Sequence, residues 1–523
     1  MNFELPQINL LRMLPEMFLF FWALVVFTYD LVTKRRSESS AGILTLIGLI
    51  LTGVIIAILS AAGSVEKGTG YYGSGFGMMF VNDPLSLFFK IIFLGAAFLA
   101  VASSFGIMKQ KIINHRGEYY GLILFSTVGM MFLGSSNELL SLYIGLELTT
   151  VPLFVLAAFF KDNRLSVEAG IKYLIIGAFS SALLVYGLSF LYGLSAGPGL
   201  SATTDILQGR INIGLTHIRQ LQAHGDLGFV LVVSMILMLA GIGFKLALPP
   251  FHQWAPDVYE GSPTPIAAFL SIGSKGAGLV AFAKIFVIGL PAFFDPFMAP
   301  NDWGILVSIL AAAAMIVGNV AAIRQTNIKR MLAYSSIAQA GYIMVGMVAM
   351  NSLGLSSVAF YIFAYMFANM GAFAIVAIFE DKTGSTEIQS YTGLAKSSPF
   401  MAASMSVFLL SLAGIPPLGG FLAKYYVFAA AVKHAALVSY NQWMYWLVGV
   451  GLLTSVFALY YYANIIKTMF FSSEDSPYKL NFMNPGTIVV IIGLLGVFYC
   501  GLFPEPILRF AQSIPAIVGL AGN

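Results

Sequence analysis

Phe244-Lys245-Leu246-Ala247-Leu248-Pro249-Pro250-Phe251-His252 and Gly414-Ile415-Pro416-Pro417-Leu418-Gly419-Gly420-Phe421-Leu422-Ala423-Lys424 each place a lysine beside a Pro-Pro inside an apolar run. Proline has no N–H to donate and frees the carbonyl four residues before it. Pro249 therefore frees the carbonyl of Lys245, and Pro416 and Pro417 free those of Leu412 and Ala413. In a bilayer, freed carbonyls must meet protein or water, so broken helices line wet cavities. A lysine beside such a break sits where water can reach it. A packing kink would explain one Pro-Pro, but two breaks with a lysine near each are stronger evidence.

The surrounding composition supports the membrane reading. Of 523 residues, 59% are apolar and only 10% charged, too few charges to cover a soluble globule of this size. Mean hydropathy is +0.86, which points to an all-α polytopic membrane protein. The apolar runs are continuous and not alternating, so a barrel is excluded. Disorder is excluded by the same hydrophobicity. One cysteine, Cys500, allows no intrachain disulfide, Cys-rich zinc site or iron–sulfur cluster. A net charge of +4 without a basic block gives no nucleic-acid footprint. The N-terminus lacks the pattern of a cleaved signal peptide, so the first apolar span is expected to stay as an anchor.

Fourteen stretches are predicted to span: 15–33, 42–62, 84–107, 118–134, 137–160, 166–195, 227–250, 263–288, 302–322, 328–350, 355–380, 400–431, 441–470 and 485–508. Fifteen Lys and Arg fall in the loops after odd-numbered spans or at the span ends that adjoin them, and six fall in the other set with both termini. The positive-inside rule then puts both termini on the non-cytoplasmic side of a bacterial inner membrane. The breaks lie in the seventh and twelfth spans. That interval is odd, so the repeats it implies have opposite topology. The expected units are 1–110, three helices; 111–290, the first inverted five-helix repeat; 291–475, the second; and 476–523, the last span and tail. No loop has room for a catalytic domain, the longest being roughly 196–226. No haem ligand pair, GxGxxG unit or P-loop is present.

An ionisable residue within a span costs ~2.5–3.5 kcal/mol or more at the centre, and so needs a reason. Lys90 and Lys284 lie near enough to span ends to snorkel. Lys275 lies too deep for that, and Lys245 and Lys424 adjoin the breaks. Glu147 is the mid-depth acid, and Lys172 on the next span is its expected partner. The pair reads either as a structural salt bridge or as part of an ion path. His252, just after the first break, reads as a proton relay or as an interfacial polar residue. His115, His217, His224 and His434 read as solvated loop residues. Trp254 and Tyr259 fit an interfacial belt. The 23 methionines, spread through the helices, read as core.

Gly145-Leu146-Glu147-Leu148, Pro152-Leu153-Phe154, Ala169-Gly170-Ile171-Lys172-Tyr173, Pro256-Asp257-Val258-Tyr259-Glu260-Gly261-Ser262-Pro263-Thr264-Pro265 and Ser274-Lys275, with the two Pro-Pro stretches, resemble the antiporter-like membrane subunits of respiratory complex I. The Pro256–Gly261 segment is most similar to the N-subunit branch, which in chloroplasts and cyanobacteria is subunit 2. By this resemblance Glu147, Lys172, Lys245, Lys275 and Lys424 match the family's proton-transfer series. It implies a proton-translocating subunit of an NADH–quinone oxidoreductase, driven by quinone reduction elsewhere in the complex. It implies no cofactor in this chain: NADH or another donor, flavin, iron–sulfur clusters and quinone belong to partner subunits. It also implies sister antiporter-like subunits and lipids as neighbours. Those sister subunits carry a long lateral C-terminal helix, whereas this sequence ends soon after its last span, as in the N branch. A cation/proton antiporter subunit without redox coupling is the competing reading. A passive scaffold would leave the buried charges unexplained.

Overall fold

The computed structural model describes residues 9–33, 39–63, 72–75, 79–111, 115–195, 225–289, 302–349, 351–437, 442–471, 478–480, 482 and 484–517. The predicted loop 196–226 with His217 and His224 falls almost wholly outside them. The chain begins with α1 (Leu14–Val32) and α2 (Ser40–Ala61), then a small antiparallel pair, β1 (Gly73–Gly75) and β2 (Phe80–Asn82). Next come α3 (Pro84–Lys111), α4 (Arg116–Ser135), α5 (Leu139–Ala157), α6 (Arg164–Ser195) and α7 (Gly225–Leu246). A short helix, α8 (Trp254–Gly261), precedes the long buried α9 (Thr264–Gly289). The second half contains α10 (Asp302–Ile323), α11 (Ile328–Ala349), α12 (Ser352–Thr383), α13 (Pro399–Ala413), α14 (Gly419–Leu437) and α15 (Met444–Phe470). It closes with α16 (Gly486–Leu502) and α17 (Glu505–Ile517).

Among the described residues, eleven helices are long and apolar enough to cross a membrane, or twelve if the bent pair α16–α17 counts as one span. Each predicted stretch falls on a helix, but three differ from the expected form. α4 is diluted by Arg116, Glu118, Tyr119, Tyr120, Ser126 and Thr127. The predicted twelfth span is two helices, because the Pro-Pro separates α13 from α14. The predicted last span turns by 79° after Leu502, at Pro504, into an amphipathic helix.

Burial grades across the bundle. α1, α2, α6 and α15 keep most of their apolar side chains on the outside, where lipid or a neighbouring protein can cover them, whereas α9 is wholly buried and α11 and α12 nearly so. Hydrophobic burial cannot hold such helices together in lipid, so close backbone approach must contribute. α4 meets α5 where a Cβ on Gly129 would stand 2.4 Å from the Thr149 nitrogen. α9 is not a uniform α-helix. Leu270–Ser274 and Ala283–Gly289 are π-helical, the first ending immediately before Lys275 and the second containing Lys284. Such segments re-aim side chains and are frequent at functional sites.

Candidate proton path across the bundle

The two breaks are capped alike. At the end of α7, Leu248 N donates to Gly243 O at 2.8 Å, and Ala247 takes a positive φ of 54°. At the end of α13, Ile415 N donates to Leu410 O at 3.0 Å, and Gly414 takes a φ of 92°. A bond reaching back five residues over a left-handed residue is a Schellman cap. The freed carbonyls of the second break find the partners that the chemistry requires. Gln339 Nε2 donates to Leu412 O at 3.0 Å, and Lys424 Nζ donates to Ala413 O at 2.9 Å. In the first break, Trp254 Nε1 closes on Phe244 O at 3.0 Å.

Lys245 is buried and donates to Thr150 Oγ1 on α5, one turn from Glu147. Glu147, half-buried, acts electrostatically on Lys245 and on Tyr143. The expected Glu147–Lys172 pair is corrected: no such ion pair forms among the described residues. Lys172 is 39% exposed and binds Glu168 at 2.7 Å, one turn before it on α6, and Asp257 at 2.5 Å on α8. Lys275, on α9, is buried and donates to Ser336 O on α11 at 2.5 Å. A Cβ on Gly278, three residues further, would lie 3.1 Å from Lys245 Cβ, so the two lysine-bearing helices touch. Lys424 is buried on α14, 4.4 Å from the centre of the Tyr342 ring and 3.3 Å from Ser455 Oγ.

Between Lys275 and Lys424 lies polar side-chain density that the sequence reading missed. Ser335, Ser336, Gln339 and Tyr342 share one face of α11. Tyr361 Oη donates to Gln339 Oε1, and Ser335 shares a hydrogen bond with Tyr462. Tyr342 Oη receives Asn319 Nδ2 at 3.0 Å and donates to Thr454 at 3.2 Å. Ser336 Oγ lies between the Tyr259 and Tyr365 hydroxyls, all three of them buried. Gln339, Tyr361, Tyr365, Ser411 and Gly420 border a cavity with room for about one water. A signal was available in the sequence: α11 is the least apolar of the eleven spans, and the structure buries nearly all of it.

At one end of the bundle an ion network joins the two halves. Arg330 on α11 binds Asp257 at 2.7 Å and Glu260 at 2.8 Å, both on α8. Lys329 donates to Ser262 O at 2.8 Å. Burial alone would raise the Asp257 carboxyl, but hydrogen bonds and charge from Lys172 and Arg330 outweigh it and hold the group below its usual value. Beside this network, His252 is half-buried; burial pushes its ring below the usual histidine value, against a hydrogen bond with the Pro250 backbone that acts the other way. Trp254 and Tyr259 form no interfacial belt: both are fully buried, Trp254 stacking on Tyr173 with ring centres 4.7 Å apart. His434 is not a loop residue either, but lies on α14, buried. His115 stays exposed, 3.2 Å from Glu118. Lys90 and Lys284 do not snorkel: both are buried, Lys90 held by Glu16 of α1 and Asn82 of β2, and Lys284 donating to Ser136 O just after α4. Among the described residues, no group of His, Cys, Asp and Glu is placed to hold a metal ion.

Residues 136–458, which run from the start of α5 to the middle of α15, match the family model described as NADH:quinone oxidoreductase/Mrp antiporter, TM. The chain belongs to this family. The matched range contains all five members of the Glu147 to Lys424 series. Among curated relatives, NADH-quinone oxidoreductase subunit N of Desulforamulus reducens is 38% identical over 507 residues, covering 97% of this chain and 98% of its own. NAD(P)H-quinone oxidoreductase subunit 2 of Gloeobacter violaceus is 40% identical over 486 residues, covering 93% and 87%. A chain of respiratory complex I from Thermus thermophilus superposes with a TM-score of 0.73 at 28% identity, covering 95% of this chain and 99% of that one. A chain of the Mrp complex from Dietzia sp. shares the fold, with a TM-score of 0.76, 18% identity and 98% of each chain covered.

Proposed function

We propose that this chain is the N-type, proton-translocating membrane-arm subunit of an NADH (or related donor)–quinone oxidoreductase. The observation that carries the reading is the buried series Lys245, Lys275 and Lys424, bridged by hydroxyl, amide and carbonyl groups and bordered by Glu147. A lysine amine can take, hold and release a proton, and serine, tyrosine and glutamine can order water between amines. Glu147 supplies the counter-charge at one end of the row. Lys172 and Asp257 hold the mouth of the path, and His252 sits beside them as a relay. The full-length relatives named for the oxidoreductase favour this reading over a cation/proton antiporter subunit without redox coupling. The likeness to the Mrp chain is one of fold.

The same proposal takes the chain as fourteen crossings, with α13–α14 and α16–α17 counting once each. It takes two inverted five-helix repeats, 111–290 and 291–475, flanked by 1–110 and 476–523. The alike capping of the breaks in α7 and α13 supports that arrangement. The excess of Lys and Arg in alternate loops supports a multi-pass protein of a bacterial inner membrane with both termini on the non-cytoplasmic side. Partners are the other membrane-arm subunits, sister antiporter-like subunits among them. Flavin, iron–sulfur clusters and the quinone site belong to those partners. The test is Lys275→Ala in the intact complex, with proton pumping measured alongside quinone reduction. Pumping should be lost or strongly reduced; unchanged pumping would refute the role. Isolation without iron–sulfur subunits would favour the antiporter instead.

A further inference from the structure

The proton series leaves a second buried ionic cluster unused, at the opposite end of α9 from Asp257 and Arg330. Lys284 is nine residues beyond Lys275 on the same fully buried helix, about 13 Å along its axis. It is 4% exposed and donates to Ser136 O at the end of α4. Ser136 bridges to Phe80 of β2, and its neighbour Ser135 donates to Asn82 Oδ1 at 3.0 Å. That same oxygen accepts from Lys90 Nζ at 2.6 Å, and Lys90 is paired with Glu16 at 2.6 Å. Lys90 is 0% exposed and Glu16 3%. Asp83, half-buried at the start of α3, acts on Lys284, as does Lys90. Two ammonium groups and two carboxylates thus gather where α1, α3, α4 and α9 meet. A purely structural anchor could be made with apolar contacts at no desolvation cost.

We propose that Lys284, set among Glu16, Lys90, Asn82 and Asp83, is a proton-transfer site that receives protons from Lys275 and passes them to the membrane face formed by the start of α3 and the end of α4. The inference rests on the proposed function above. The Lys275 ammonium gives one proton to the first water of a chain as the last water of that chain passes a different proton to the Lys284 amine, each water between them taking one proton and giving another; Lys284 then releases its proton to water at the face. Charge is conserved at each step, and Glu16 and Asp83 compensate the cluster when Lys284 is charged. Lys90, paired with Glu16, acts electrostatically against a proton that lingers on Lys284.

The test uses the intact complex in proteoliposomes, with variants Lys284→Met, Lys284→Arg and, in the same series, Lys275→Met. Arginine keeps the positive charge and the hydrogen bond to Ser136 O but does not give up its proton in proteins. Loss of pumping in Lys284→Arg with a normally assembled complex is the expected result, since an anchor would be rescued by arginine. Wild-type pumping by Lys284→Arg, or failure of that variant to assemble, would overturn the proposal and assign an anchoring role. Wild-type pumping by Lys275→Met would instead bring down the functional reading on which it rests.

Discussion

Asp257 is the carboxylate that the two halves share, and replacing it should cost little stability but a measurable coupling. Its two oxygens separately hold Lys172, from α6, and Arg330, from α11. At an effective dielectric of about 20, a unit-charge pair near 4 Å is worth roughly 4 kcal/mol gross. The three side chains are 29–39% exposed, so solvent screening and side-chain ordering reduce each contact to about 1 kcal/mol. Each cation also keeps a second acid, Lys172 keeping Glu168 and Arg330 keeping Glu260. The expected cost of Asp257→Asn is therefore about 1–2 kcal/mol, well below the roughly 3–5 kcal/mol for breaking a fully buried pair. A double-mutant cycle with Asp257→Asn and Lys172→Met, read by thermal unfolding of the complex in nanodiscs, should give a coupling of about 0.5–1 kcal/mol. Additive effects would show that the contact carries no energy. A coupling above about 3 kcal/mol would show that the pair is drier than its exposure implies.

The same carboxyl has a folded-state pKa below its unfolded value, so its contribution is fully present above the usual carboxylate range and lost as pH falls through the lowered value. The stability gap between the parent and Asp257→Asn should therefore close on acidification below that range, as seen by unfolding at a series of pH values; a gap independent of pH would contradict the ion-pair account. Glu147→Gln removes the negative charge that acts on Lys245, and reconstituted complex should pump more slowly while still assembling. Gly420→Val should prevent stable assembly, measured by yield of intact complex, because even its Cβ would stand 1.9 Å from Ser411 O. Gly414→Ala should cost about 1–2 kcal/mol in the same unfolding assay, from the left-handed backbone and from crowding of the Lys424 side chain at 3.0 Å.

The helices and breaks were legible because their cause is local. An apolar run of the right length crosses, and a proline frees a carbonyl at a fixed offset. Leu412 and Ala413 carry the carbonyls so predicted, and Gln339 and Lys424 meet them. Pairing was less legible, because it depends on which helices adjoin. Lys172 follows Glu147 by one span, yet it turns outward to Glu168 and Asp257, leaving Lys245, two spans on, to face Glu147. Lys90 and Lys284 were misread for a related reason. Distance from a span end says that a long side chain can reach water, but not whether another segment meets it first, here α1 with Glu16 for Lys90 and the end of α4 with Ser136 for Lys284. The polar face of α11 had a sequence signature in Ser335, Ser336, Gln339 and Tyr342, but acquires meaning only beside α12 and α14.

The indole of Trp254 has a practical consequence. It is sealed from solvent and joined through Phe244 O to the residue preceding Lys245, so any opening of that cap must change its surroundings. The other four tryptophans, Trp22, Trp303, Trp443 and Trp446, lie on α1, on α10 and at or near the start of α15. With those four replaced by phenylalanine, the remaining indole becomes a built-in optical probe, whose emission colour would track wetting of the first Pro-Pro bend during turnover without any attached dye.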